Sequence, residues 1–392
     1  MPLSHAEGRG FRFAGRNGEA GDQRFLTGDS RRTRAAKMKP SLGNVRQPRN
    51  PRMVDVARLA GVSHQTVSRV LNGNPNVRAE VRERVQQAIQ QLGYRRNTAA
   101  RALSTGRSMN LGVVSFDIWQ YGPTHVLFGI ADGARQVGYA TSLVSLWDTD
   151  PKSARAAIDH LVANSVDGII VIAPVDGARA AVQAVPAHVP LVMFEPGVDN
   201  GTTSVAIDEV LGARLATRYL LELGHESVWQ VSGPDGWLGT EARIRGWRAE
   251  LTAARRVAHE VIAGDWSSAS GHRAGQQIAR NREITAVFAA NDQMALGVLQ
   301  ALQQNGLTVP GDVSVLGFDD IPEAAFFQPA LTTIRLDFNE IGRRCVERLL
   351  KMIQGTPLRP APPLEPQLVV RSSAGPPPPR KHRLSPRRAS PK

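Results

Sequence analysis

Residues 54–72 read VDVARLAGVSHQTVSRVLN, and this run decides how the first part of the chain folds. Val56, Ala57 and Ala60 mark one apolar face of a short helix, which Gly61 ends. Ser63 stands where the next helix needs an N-cap, and Val67 and Leu71 turn inward from that helix. Val85, Ile89 and Leu92 then repeat at helical spacing in a third helix that Gly93 closes. A helix-turn-helix requires a small residue where helices approach, a tight turn, and an exposed second helix carrying polar side chains. Here His64, Gln65, Ser68 and Arg69 lie outward near the start of that second helix. A guanidinium pairs with guanine and an amide with adenine in the major groove, so Arg69 and Gln65 are the expected base readers. Ser63, Thr66 and Asn72 are placed for phosphate oxygens, which set position without reading sequence. The alternative at this point is a structural three-helix unit with a solvated polar face.

Charge changes on either side of this unit. The 392 residues carry 48 Lys and Arg against 35 Asp and Glu, a net charge of +13. Much of the excess lies at the ends, in residues 1–52 and 374–392. Residues 53–109 are also basic, whereas 110–373 are net acidic. A small basic module on an acidic body presents one end to a polyanion while the body stays off it.

The expected organisation has five parts. Residues 1–50 are Arg/Gly/Ser-rich without apolar periodicity and read as a disordered basic extension, with Met38 as a candidate internal start. Residues 51–95 form the helix-turn-helix domain, 96–109 a hinge, 110–373 a two-lobed core, and 374–392 a disordered Pro/Arg tail. Within the core, LGVVSF (111–116), ATSLVSL (140–146), DGIIVIA (167–173), PLVMFE (190–195), TSVAI (203–207), SVWQVSG (227–233), AVFAAN (286–291) and VSVLGFDD (313–320) alternate with helical stretches. Continuous Val/Ile-rich runs of this kind form parallel strands buried on both faces by helices. Eight such runs are more than one small sheet holds, so the expected fold is two doubly wound α/β lobes with a cleft between them.

Function classes narrow by elimination. No apolar run approaches the roughly 20 residues needed to cross a bilayer, and no apolar segment follows the charged N-terminus as in a secretory signal. The single Cys345 excludes an intrachain disulfide and suits a reducing cytoplasm; it reads as a buried helical residue. There is no G-x-S-x-G elbow, P-loop or metal-spaced His/Cys set, and His125, His160 and His225 are scattered. No catalytic residue, metal or cofactor is expected. The rival readings are an exported sugar-binding protein, which has no use for residues 53–104, and an α/β enzyme acting on a sugar, which lacks a poised nucleophile.

The run AGVSHQTVSRVLN, with NTAARALSTGRS (97–108), closely resembles the headpiece and hinge of the lactose-repressor (LacI/GalR) family of transcription regulators. The resemblance continues through GDWSSASG (264–271), AANDQMALG (289–297), VLGFDD (315–320) and LTTI (331–334). It implies a cytoplasmic, nucleoid-associated homodimer that binds operator DNA and responds to a sugar effector, a galactoside among the candidates. It implies that Leu103, supported by Ala100, wedges into the minor groove, kinking the duplex at a cost of roughly a few kcal/mol that wider contact offsets. It assigns effector contacts to Arg243, Trp266, Asn291, Asp319 and Glu195, with Phe116, Ile207 and Leu336 at further cleft positions. Carboxylates, an amide and a guanidinium suit the hydroxyls of a pyranose, and an aromatic face suits its C–H side. The chain departs from the family's pattern at His64, a base-reading position, at Arg78, where a helix cap is lost, and at its Pro/Arg end, where tetrameric members carry a leucine-heptad helix.

Overall fold

The computed structural model describes residues 51–95, 106–116, 119–148, 150–175, 183, 185–196 and 203–379. Ala100 and Leu103 of the expected hinge, and residues 1–50 and 380–392, lie outside the described residues. Contacts divide the chain into two compact units, which meet in sequence at Arg96 and Asn97.

The first unit contains helices α1 (Met53–Ala60), α2 (His64–Leu71) and α3 (Ala79–Leu92). Gly61 ends α1 at φ 63° and Gly93 ends α3 at φ 60°, left-handed conformations that glycine adopts without steric cost. Ser63 caps α2, its Oγ accepting from the Thr66 amide at 3.1 Å. Arg78 gives α3 no side-chain cap, and Arg82 instead donates to the Asn74 carbonyl at 2.8 Å, pinning the turn between α2 and α3. Val56, Ala57, Ala60, Val67, Val70, Val85, Ala88 and Tyr94 form the core, with Leu71, Ile89 and Leu92 packed partly buried against it.

The second unit holds two sheets. In the first, β1 (Asn110–Phe116), β2 (Ala140–Leu146), β3 (Gly168–Ile172), β4 (Leu191–Phe194) and β5 (Ser204–Val205) run parallel in the order β2-β1-β3-β4-β5. In the second, β6 (Trp229–Ser232), β7 (Ile262–Ala263), β8 (Ala286–Ala289), β9 (Ser314–Asp319), β10 (Thr332–Arg335) and β11 (Gln367–Val369) lie in the order β11-β10-β9-β8-β6-β7. All its pairs are parallel except β10 with β11. Helices α4 (Tyr121–Gln136) and α5 (Pro151–Ala163) pack on the first sheet. Helices α6 (Glu209–Glu222), α7 (Leu238–Ala253), α8 (Ser268–Arg280) and α9 (Asp292–Gln304) belong to the second lobe. The last helix, α10 (Phe338–Ile353), returns to the first lobe, where it packs on α4, β3 and β4. The chain therefore crosses between lobes three times: after β5, after β10, and on the way to β11. At the α4–α10 crossing Gly129 faces Asn339 and Gly342 faces the Val126 carbonyl, so the helices touch backbone to backbone, where a Cβ would clash. Cys345 is buried in α10, and burial pushes its thiol up to about 12.

All eight apolar runs contain strands. The core extends past the expected boundary at 373. Ser373 is buried, its Oγ donating to the Val315 carbonyl at 2.6 Å and accepting from the Thr332 amide at 2.8 Å. The Gly375 carbonyl accepts from Ser314 Oγ and from His225 Nε2, each at 2.9 Å, and His225 Nδ1 lies 2.9 Å from Thr285 Oγ1, from which it accepts in the neutral imidazole. Residues 374–379 are thus not a loose tail at their start: Ala374 packs against the main core and the Gly375 backbone completes a buried polar network. Among the described residues no helix is long and apolar enough to cross a membrane, and no group of three or more His, Cys, Asp or Glu is placed to hold a metal.

Deleting residues 380–392 should leave the denaturant midpoint of the core unchanged. Deleting 374–392 should cost about 1–3 kcal/mol, because it removes the Gly375 carbonyl that the buried Ser314 and His225 share, leaving them one acceptor short. Equilibrium unfolding in urea, followed by far-UV circular dichroism, compares the two truncations.

Candidate functional site

Two surfaces carry the residues singled out by sequence. On α2, Val67 and Val70 face the core, so the helix period turns His64, Gln65 and Arg69 to solvent, where all three are exposed. Thr66 and Ser68 are half-buried, while Ser63 and Asn72 are exposed. Ser63 Oγ lies 2.9 Å from Thr66 Oγ1, and Asn72 Nδ2 donates to Ser68 Oγ at 3.5 Å. The helix N-terminus is therefore internally capped, and its outward row presents an imidazole, an amide and a guanidinium.

The second surface is a cleft within the core. Its walls come from the carboxyl ends of strands and the first turns of the helices that follow: Tyr121 on α4, Pro174 after β3, Phe194 on β4, Glu209 on α6, Arg243 on α7, Asn291 before α9, Asp319 on β9 and Phe338 on α10. Parallel α/β sheets place ligand crevices at this edge. Trp237 and Trp266 add an aromatic corner, their rings T-shaped at 5.7 Å.

Arg243 organises the cleft. Its Nε donates to Glu209 Oε2 at 3.0 Å, its Nη2 to Asp319 Oδ1 at 3.3 Å, and its Nη1 to the Ala290 carbonyl. The guanidinium also lies 4.0 Å from the Phe318 ring centroid and 5.3 Å from that of Trp266. Burial works against the Arg243 charge, but Glu209 and Asp319 outweigh it and raise its pKa. Burial pushes the Asp319 carboxyl well above the usual range despite Arg243, and lifts Asp292 behind it to about 7 against hydrogen bonds from Thr333 and the Ile321 amide. Gly239 makes room for this cluster, since a Cβ there would stand 2.7 Å from Glu209 Oε2. Asp319 holds φ 104°, a conformation a non-glycine residue adopts only when its surroundings enforce it.

Asn291 is fully engaged: Oδ1 caps α9 through the Met294 amide at 2.8 Å, and Nδ2 donates to the Trp266 carbonyl at 3.0 Å. It caps the helix and fixes the Trp266 loop together. Trp266 Nε1 and Thr240 Oγ1 are buried without a hydrogen-bond partner. The cavity left between these groups is about 50 Å3, well under the roughly 300 Å3 at which ligand pockets usually begin.

Of the eight expected cleft residues, Arg243, Trp266, Asn291 and Asp319 line this wall together. The other four do not. Phe116 packs in the first-lobe core with Ala154, Ile158 and Leu161 of α5, because its side chain leaves β1 on the helix-covered face. Ile207 and Leu336 are buried in the main core, the former bridging to Leu364. Glu195 is buried between Phe194 and Pro196, which themselves reach the cleft. Glu209, Trp237, Tyr121 and Phe338 are wall residues that sequence reading missed. Their signal was positional: each opens, or just precedes, a helix that follows a strand run.

Known proteins share this layout. A model of bacterial regulatory proteins, lacI family, matches residues 52–97, and a periplasmic binding protein-like domain matches residues 217–374. The lactose operon repressor of Escherichia coli (strain K12) is 34% identical over 305 residues, 77% of this chain and 85% of that protein. The crystal structure of a lac repressor dimer bound to operator and the anti-inducer ONPF superposes with a TM-score of 0.76 at 32% identity, covering 83% of this chain and all of that one. A complex of the transcriptional regulator CelR with cellobiose gives 0.60 at 29% identity, over 83% and 100% of the two chains. A headpiece model on α1–α3 and a curated repressor alike across most of both chains establish that the protein belongs to the lacI family of bacterial regulatory proteins.

Proposed function

We propose that this family member works as a homodimeric repressor at the nucleoid, reading operator DNA with α2 and yielding to a saccharide bound in the cleft. The observation that carries the DNA half is the capped helix with His64, Gln65 and Arg69 on its outward row. Arg69 and Gln65 are the base readers, His64 gives this chain an operator preference of its own, and Ser63, Thr66, Ser68 and Asn72 set the helix on the backbone. Leu103, supported by Ala100, is assigned the minor-groove wedge on its sequence match. Two headpieces brought together by a core dimer span a pseudo-palindrome.

The cleft supports a polyhydroxylated ligand. Glu209 and Asp319 accept from hydroxyls, Arg243 donates to them, Trp266 Nε1 offers a further donor, and Trp237, Trp266, Tyr121 and Phe338 supply faces for C–H groups. A cavity of about 50 Å3 does not admit a sugar ring with the lobes as they stand, so binding is accompanied by lobe rearrangement. A ligand that prefers one lobe arrangement shifts the population toward it, and DNA affinity changes reciprocally by about 1–3 kcal/mol of coupling.

Three measurements check this reading. Replacing Arg69 with Met should cost about 1–3 kcal/mol at one base position of a selected operator, read by gel shift on single-base variants; uniform weakening on every duplex would contradict the assignment. In a thermal-shift panel of galactose, lactose, ONPG and cellobiose, a binder present at 100 times its Kd should add about 2.7 kcal/mol of core stability. Replacing Arg243 with Met should abolish that response and itself cost about 3–5 kcal/mol, since it strands two buried carboxylates. Sedimentation should give a dimer, and a stable tetramer would reject that assembly.

A further inference from the structure

The stretch that links headpiece to core in the sequence ends at Gly106–Met109, and there the core grips the backbone. Asp167 Oδ1 accepts from the Ser108 amide at 2.7 Å and from Ser108 Oγ at 2.8 Å, while Oδ2 accepts from the Met109 amide at 3.0 Å. Asp167 is itself fixed, its amide donating to the Asn110 carbonyl at 2.8 Å immediately before β3 begins. One residue earlier in the chain, Arg107 donates to the carbonyl of Ile353, the last residue of α10, at 3.1 Å. Met109 is held at φ 57°, a left-handed conformation uncommon outside glycine. Beside the clamp lies an open cavity of about 770 Å3, bordered by Gly106, Arg107, Ser108, Asp167, His188 and Met352. The exit of the link is therefore bordered by open space and held by these hydrogen bonds together with the packing of Met109 against the core.

The two elements that anchor this clamp both begin or end at the cleft. From Asp167 the chain runs through β3 (Gly168–Ile172) to Pro174, a wall residue, and eight residues at the rise of a strand span about 25 Å. Helix α10 runs from Phe338, another wall residue, to Ile353, and its 16 residues span about 24 Å. Two stiff members of similar length thus join the effector cleft to the same short piece of chain.

We propose that Asp167, assisted by Arg107, is a positioning residue for operator binding: it fixes where the link leaves the core, and a rearrangement at the cleft reaches it through β3 and α10. The proposal rests on the reading of the chain as a ligand-controlled DNA-binding protein. Its chemistry is specific to a carboxylate. In D167N the amide oxygen still accepts from Ser108, but the new N–H group faces the Met109 amide, donor against donor.

The test uses the full-length protein and an operator duplex selected from a random pool with the wild type. In gel shifts at fixed salt, D167N should bind the selected duplex about tenfold more weakly, within the 5–150-fold range of ordinary coupling, while its affinity for a scrambled duplex stays within about twofold. Loss of fold would lower both affinities together, which separates positioning from stability. Arg107→Met, which removes the α10 anchor without touching Asp167, serves as the second variant and should move the same ratio in the same direction. A selected-to-scrambled ratio equal to wild type in D167N, or in Arg107→Met should D167N fail to fold, overturns the proposal. If the wild type itself selects no duplex over scrambled DNA, the fault lies in the DNA-binding reading and the clamp falls with it.

Discussion

The guanidinium of Arg243 is the group around which the core is arranged. An ion of this size taken out of water costs several kcal/mol even after relaxation, and that cost is offset only where carboxylates and carbonyls meet it with good geometry. Glu209 from α6, Asp319 from β9 and the carbonyl of Ala290 after β8 converge on it. Each partner sits at the end of a different element, so satisfying one buried charge fixes the relative positions of α6, α7, β8 and β9. Burial drives the Asp319 carboxyl upward, with the nearby Asp292 and Glu209 charges adding to it against Arg243, and burial likewise raises Asp292, where the Asp320 charge adds to it. A site built this way is stable only while its polar groups have partners. A ligand that enters must replace the contacts it breaks.

Most of the architecture was legible because parallel α/β sheets write themselves as apolar runs. IIVI of β3 and the Val/Leu/Phe of β9 are fully buried, and no polar alternation was needed to find them. The strands that escaped, β7, β10 and β11, are two to four residues long and carry threonine, glutamine or a single isoleucine, so they offer too few positions for a period to register. The misplaced end of the core has a different cause. Pro-rich composition argues against a packed side-chain core, but Gly375 and Ser373 contribute through backbone and hydroxyl groups, which composition does not register.

The cleft was half legible for a related reason. Arg243, Trp266, Asn291 and Asp319 were identified by the motifs they sit in, and the fold brings them onto one wall. Phe116 ends β1 with its side chain in the first-lobe core, and Ile207 and Leu336, just past β5 and β10, are buried in the main core. At Glu195 the miss is a single residue, since its neighbours Phe194 and Pro196 reach the cleft. Glu209, Tyr121 and Phe338 start helices, where helical periodicity has not yet begun and each residue type has a bland explanation of its own. Only the convergence of nine chain segments makes them a set.

The hydrogen bonding within the cleft bears on how a signal leaves it. A ligand shifts an equilibrium only by its differential affinity for the two arrangements, and in this arrangement Arg243, Glu209 and Asp319 already pair among themselves. On the function proposed above, a saccharide gains most by separating these groups and inserting its hydroxyls between them, a change that would move α6 and α7 relative to the first-lobe wall at Tyr121, Pro174 and Phe338. That wall is not free to absorb the displacement locally. Glycine contacts lock α10 to α4 backbone to backbone, and β3 is hydrogen-bonded on both sides. Close-packed elements of this kind transmit displacement rather than dissipate it. At the far end of both members the chain at Arg107–Met109 is held by a few hydrogen bonds and the packing of Met109, beside open space.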